Sequence, residues 1–163
     1  MEPTSAESVA QWIQTAQRQR DSFEHLRLAS HEHRESHGAG CSVYPTSSGP
    51  LLSVLAAAVA AERILEVGCG LGYSALCMAH GSGGVVKTIE RDTEHARLAE
   101  QTILREGYGD RNLFLAQFVH DLPNVDHMAE YRQRLLDDDR LLTTIVPGGL
   151  AISVLRPDRD EVK

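Results

Sequence analysis

Ile64-Leu65-Glu66-Val67-Gly68-Cys69-Gly70-Leu71-Gly72-Tyr73-Ser74 is an apolar run that enters a glycine-rich turn and leaves it toward a helix; a second apolar run, Val85 to Ile89, ends in Glu90. This order predicts two parallel strands joined by a crossover helix. Glycine at 68, 70 and 72 lets the chain turn sharply, brings backbone amides close to a ligand, and leaves the next helix N-terminus open to an anionic group. Glu90, one strand over, stands where a carboxylate accepts ribose hydroxyls.

The spacing narrows the ligand. The glycines read G-x-G-x-G rather than G-x-G-x-x-G, so no third glycine stands where a pyrophosphate would meet the helix. Glu66, just before the first glycine, repels a pyrophosphate and attracts an ammonium group. A ligand that carries an amino-acid ammonium, a carboxylate and a ribose is S-adenosylmethionine. Ser74 and nearby amides are then expected to receive its carboxylate, Tyr73 either to line the turn or to pack in the core, and Arg91 to lie beside the adenine or on the surface. An NAD-dependent oxidoreductase is the rival that Glu90 permits and the glycine spacing opposes. A third reading is a protein that binds the cofactor but is catalytically incomplete.

Ile64 to Ala79, followed by Val86-Lys87-Thr88-Ile89-Glu90-Arg91-Asp92, resembles the class I S-adenosylmethionine-dependent methyltransferases, and within them the small catechol and caffeoyl-CoA type O-methyltransferases. The continuation Gly72-Tyr73-Ser74 is similar to that family's glycine turn. Pro45-Thr46-Ser47-Ser48-Gly49-Pro50-Leu51-Leu52 resembles its entry segment over the cofactor, which adds Ser48 to the expected cofactor set. The likeness covers Val43 to Arg111 well and the remainder in pieces. It implies a Rossmann-like α/β fold, a mostly parallel sheet flanked by helices, with an antiparallel C-terminal hairpin. It also implies methyl transfer to a hydroxyl of a small aromatic or polyketide-like acceptor, and a homodimer. In the metal-dependent members two aspartates and an asparagine hold a divalent cation such as Mg2+, and a lysine serves as base. The Asp-x-Asp-Lys element is not found here, Asn112 is the one candidate metal ligand, and no catalytic residue is assigned.

The remaining pattern is read from periodicity and punctuation. Ser8 to Ala29 predicts an amphipathic helix, with Trp12 as a possible dimer contact, and His31 to His37 a solvated linker ending at Gly38 and Gly40. Residues 1–40 are thus expected as helix and linker, and 41–163 as the methyltransferase domain. Ser48 is expected to cap a helix from Pro50 to Ala60, and Asp92 one through Glu106 whose Ala96, Leu98, Ala99, Ile103 and Leu104 face inward. Asn112 to Val119 reads as a strand, Val125 to Leu136 as a helix, and Arg140 to Val146 with Gly149 to Leu155 as a hairpin around Pro147-Gly148. By resemblance Asn112-Leu113 falls just after the family's fifth strand. Two strand–helix–strand units need roughly 50 to 60 residues, so a block is expected to be absent between Arg111 and Asn112. A competing alignment makes Asn112 to Gln117 strand four. His120, Asp121, Asp126 and His127 are weighed as a metal or acid–base group and read as a polar loop.

The 163 residues carry a net charge of −7 with no basic cluster, which argues against a nucleic-acid partner. No apolar run is long enough to cross a bilayer, and the N-terminus has no basic and apolar leader pattern, so the expectation is cytoplasmic. Cys41, Cys69 and Cys77 show no metal-ligand spacing; Cys69 is expected to be a small filler in the turn.

Overall fold

Two parallel pairings organise the sheet: β1 (Arg63–Val67) runs beside β2 (Val85–Glu90), with Ile64 opposite Val86 and Glu66 opposite Thr88. β3 (Leu113–Gln117) takes the other edge of β2, Val86 opposite Leu113 and Glu90 opposite Gln117. The structure, a computed structural model, describes residues 9, 11–13, 15–16, 20–109, 113–117, 133–134, 136–146 and 150–155. Each strand is reached through a helix, α3 (Tyr73–Gly81) between β1 and β2 and α4 (Thr93–Arg105) between β2 and β3. The fold is a Rossmann-like α/β arrangement of parallel strands and crossover helices.

The position of β3 corrects the reading of the chain after Arg111. In a doubly wound sheet the first three strands step outward in one direction, and the fourth returns to the far side of the first. Leu113–Gln117 lies beside β2, in the third place, so it is neither strand four nor the segment after strand five. The Arg111–Asn112 join, where a block is expected to be absent, lies outside the described residues.

Period-two alternation explains which face of the sheet is covered. Val86, Thr88 and Glu90 are buried on the side where α3 and α4 pack. The alternate residues of β1 are bare: Leu65 is 66% exposed and Val67 56%. Among the described residues β1 has one strand partner, β2.

Asp92 caps α4 as expected, its side chain accepting the N–H groups of Glu94 (2.9 Å) and His95 (3.0 Å). Ala96, Ala99 and Ile103 face the core as expected, but His95 and Thr102 are buried with them and Leu104 is 60% exposed. The helix places 95, 99 and 102 on one line, which the apolar pattern alone did not favour. α2 (Gly49–Ala58) begins after Ser48, yet the Ser48 hydroxyl makes no capping bond; its N–H donates to Thr46 Oγ1 at 3.1 Å. α2 lies so close on α3 that a Cβ at Gly81 would stand 2.0 Å from the carbonyl oxygen of Ser53.

The N-terminal region departs from the expected single helix and linker. Val9, residues 11–13 and residues 15–16 are helical and Trp12 is 58% exposed, but Arg20 is in a turn and Asp21 lies outside helix. The Asp21 carboxylate accepts the Phe23 N–H (2.9 Å) and the Tyr73 hydroxyl, and α1 (Glu24–His37) starts afresh beyond it. α1 runs through the histidine stretch, so His31 to His37 is helix rather than linker. Phe23 and Leu26 are buried, and the Phe23 ring meets His80 and Tyr108 edge-on. These contacts tie α1 to the sheet-bearing part of the chain instead of setting residues 1–40 apart.

Contact density separates two units, Met1–Phe118 and Val119–Lys163. In the second, β4 (Leu141–Val146) and β5 (Leu150–Leu155) pair antiparallel, Leu141 opposite Leu155, as the hairpin expectation has it. His120, Asp121, Asp126 and His127 lie outside the described residues, as does most of the helix expected over 125–136. No helix among the described residues is long and apolar enough to cross a membrane.

Candidate functional site

The carboxyl ends of β1 and β2 bring the expected acids and glycines together. Gly68, Gly70 and Gly72 all adopt positive φ, +85°, +53° and +92°, a region that a side chain disfavours. Gly68 donates to the Ile89 carbonyl (2.7 Å) and Gly72 to the Cys69 carbonyl (2.9 Å), which folds the turn back over the strand ends. A Cβ at Gly68 would meet nothing within 4 Å, so open space lies on that side of the turn. At Gly70 the nearest atoms are those of Val43, 3.5 Å away, from the segment that leads into Pro45 to Leu52.

Glu90 is the hub of this turn. Its Oε2 accepts the Gly70 N–H (2.8 Å), and its Oε1 accepts those of Arg91 (2.9 Å) and Asp92 (3.0 Å). A carboxylate has about four acceptor positions, so these three bonds leave little for a sugar until the turn shifts. The Arg91 residue is exposed, and its backbone rather than its guanidinium engages Glu90.

Glu66 stands beside it on the same sheet face. The Ser74 hydroxyl donates to its Oε1 (2.5 Å) and the Thr88 hydroxyl to its Oε2 (2.5 Å). Burial pushes the Glu66 carboxyl above the usual carboxylate range; the two hydroxyl donors oppose this, and the nearby Glu90 charge adds to it. Thr88 is fully buried and was absent from the expected set. The signal for it was available: it is two residues before Glu90 and lies opposite Glu66 in the strand register.

Two expected roles change. The Ser74 hydroxyl is committed to Glu66, so it positions that acid rather than standing free for a carboxylate. Tyr73 is buried, 3% exposed, and its hydroxyl donates to Asp21; burial and that bond push the phenol well above its ordinary range. Its side chain is therefore core, and only its backbone borders the turn. Ser48 is partly buried at the start of α2, and Asn112 lies outside the described residues. Cys69 and Cys77 are buried thiols pushed up to about 12, chiefly by desolvation, which suits fillers and not nucleophiles.

An acid paired with two hydroxyls, a second acid gripping a positive-φ glycine turn, and open space between turn and solvent form a cradle for a polar ligand with a cationic end. The profile of the family described as O-methyltransferase matches residues 15–142 of the chain. The chain belongs to this O-methyltransferase family. It is 40% identical over 65 residues to a catechol O-methyltransferase of Mycobacterium tuberculosis, a stretch that is 39% of this chain and 30% of that protein. It is 41% identical over 65 residues to a protein-L-isoaspartate O-methyltransferase of Methanocella arvoryzae, covering 39% of this chain and 35% of that one. The chain thus spans about a third of the length of the curated relatives it matches. Among solved structures it is similar to an O-methyltransferase from Bacillus cereus in complex with S-adenosylhomocysteine: TM-score 0.56, 17% identity, 80% of this chain and 90% of that one. It is also similar to the S-adenosylhomocysteine-bound methyltransferase PaMTH1 of Podospora anserina: TM-score 0.60, 13% identity, 96% and 99% covered. At such identities the likeness is one of fold.

Proposed function

We propose that this chain carries the cofactor-binding site of an S-adenosylmethionine-dependent O-methyltransferase. The observation that supports it most is the pairing of Glu66, between Ser74 and Thr88, with Glu90 on the Gly68–Gly72 turn. The cofactor supplies an electrophilic methyl on a sulfonium. Glu66 would take its ammonium, the backbone of Gly68, Gly70 and Tyr73 its amino-acid carboxylate near the α3 N-terminus, and Glu90 its ribose, with Ser48 and Arg91 bordering the site. Glu66 supplies no positive charge to a pyrophosphate, which disfavours the nicotinamide dinucleotide reading.

The acceptor is a small molecule with a hydroxyl, aromatic or polyketide-like by family resemblance, and a homodimer follows from the same resemblance. The oxygen ligand set that holds Mg2+ in the metal-dependent members of the family is not found among the described residues, and one neutral amide, Asn112, will not hold that cation. A specific observation keeps the incomplete-protein reading alive: the bare Leu65 and Val67 face of β1.

Calorimetric titration with S-adenosylhomocysteine and with NAD tests the cofactor. Micromolar binding of the first and none of the second is expected, and the reverse result ends the proposal. Turnover of a catechol with and without magnesium then separates an active transferase from a chain that only binds.

A further inference from the structure

A second cluster lies apart from the glycine turn, where three segments distant in sequence meet. His33 comes from the later turns of α1, His95 from the first turn of α4, and Cys41 from the chain just past the short 3-10 turn Gly38–Gly40. Their ligand atoms all lie within 4.8 Å of one another. His33 Nε2 and His95 Nε2 face each other at 3.2 Å. Two nitrogens each about 2.0–2.1 Å from a tetrahedral metal are separated by about 3.3 Å, so the rings already stand at the spacing a shared ion requires.

The surroundings fit ligation better than a plain histidine pair. His95 and Cys41 are buried, and His33 is partly so. His95 Nδ1 is buried without a hydrogen-bond partner, and the nearest acid, Asp92 Oδ1, is 3.9 Å away. If Nε2 binds a metal, Nδ1 must carry the proton, and a carboxylate beside it is the usual orienting neighbour. His37 stacks on His33 with ring centroids 4.0 Å apart. The Cys41 backbone is fixed as well: its N–H donates to Gly38 O (3.1 Å) and its carbonyl accepts from Arg34 Nη1 (3.3 Å).

We propose that His33, Cys41 and His95 form a binding site for one zinc-class divalent metal, with a fourth position left to water. Two imidazoles and a thiolate select zinc, cobalt or their neighbours over magnesium and calcium, which demand oxygen ligands. The ion would tie α1 to the start of α4 and hold down the strap that carries Val43 onto Gly70. The site is independent of the cofactor reading, since none of the three residues belongs to the Glu66 and Glu90 cradle.

The test is a titration of the metal-stripped full chain with Co2+, followed by absorption, then displacement with Zn2+. One equivalent should bind, with the visible bands of a tetrahedral centre and a near-ultraviolet thiolate-to-cobalt band, and Zn2+ should raise the melting temperature while Mg2+ does not. Cys41→Ser should remove the thiolate band, and His95→Gln should weaken Co2+ binding at least about a hundredfold. If His95→Gln does not fold, His33→Gln at the more exposed side of the cluster serves for the same reading. Absence of saturable Co2+ binding, a thiolate band that survives Cys41→Ser, or stabilisation by Mg2+ equal to that by Zn2+ overturns the proposal.

Discussion

Glu90 Oε2 accepts the backbone N–H of Gly70 at 2.8 Å, which clamps the end of β2 to a glycine turn twenty positions earlier in the chain. The acid expected to hold a sugar is thus also what holds the turn in shape. Glu90→Gln keeps the volume but replaces one acceptor by an N–H2 that must face backbone donors. Leaving a buried donor unsatisfied costs about 1–3 kcal/mol, or about 2–4 °C of melting temperature per kcal/mol in a chain of this size. S-adenosylhomocysteine affinity should fall at least about tenfold, since turn and ribose acceptor are lost together. A variant that melts and binds like the parent would show that Glu90 has neither role.

Glu66 makes the site sensitive to pH in a defined direction. Burial raises its carboxyl in the folded chain above the value it has unfolded. Its contribution to stability is therefore complete below the ordinary carboxylate range and is lost as pH rises through the raised folded value. Glu66→Gln should flatten the fall of stability across that window and should be at least as stable as the parent above it. Chemical denaturation at a series of pH values reads this directly, and parallel curves for the two proteins contradict it.

The same carboxyl should release a proton when the cofactor binds. An ammonium brought beside Glu66 favours its ionised form, so the proton held in the free protein leaves on binding. Calorimetry of S-adenosylhomocysteine in buffers of different ionisation enthalpy should show proton release at pH values between the lowered bound value and the raised free one. Glu66→Gln should abolish it. Equal release by both proteins would move the ammonium to another partner.

The turn and its two acids were legible because each is a local signal: glycines need positive φ, and an acid at a strand end sits at a fixed place in a parallel sheet. Thr88 and the changed role of Ser74 depend on cross-strand register and were not written in any one segment. Tyr73 was open between turn and core, and a contact with Asp21, 52 positions away, decided it. The His33, Cys41 and His95 cluster was hidden for the same reason. The sequence offered His31, His33 and His37 as neighbours, whereas the helix brings His33 to a partner 62 residues distant. The place of Leu113–Gln117 failed by resemblance because strand order is a property of the winding, not of the strand.

Gly81 tests the packing beneath the site. A methyl there would stand 2.0 Å from the Ser53 carbonyl oxygen, a backbone atom that cannot swing aside. Gly81→Ala should push α2 from α3 and cost about 2–3 kcal/mol. Gly83→Ala, where an added Cβ meets nothing within 4 Å, should change stability by no more than about 0.5 kcal/mol. Equal melting temperatures for the two variants would mean that the helices do not approach as closely as described.

The uncovered side of β1 sets an expectation about association. Leu65 and Val67 are exposed on a strand whose other face is packed by helices, and exposed apolar side chains of this kind draw copies together. Lys87 lies opposite Leu65 in the register and is itself exposed. Leu65→Glu therefore removes an exposed apolar side chain and gives Lys87 a neighbour of opposite charge on the adjacent strand. Sedimentation velocity should show the parent chain self-associating, and the variant dissociating at a concentration at least about tenfold higher, with no loss of melting temperature. If the variant associates as strongly as the parent, the sheet face is not the surface through which copies meet, and the exposed Trp12 region becomes the next surface to change.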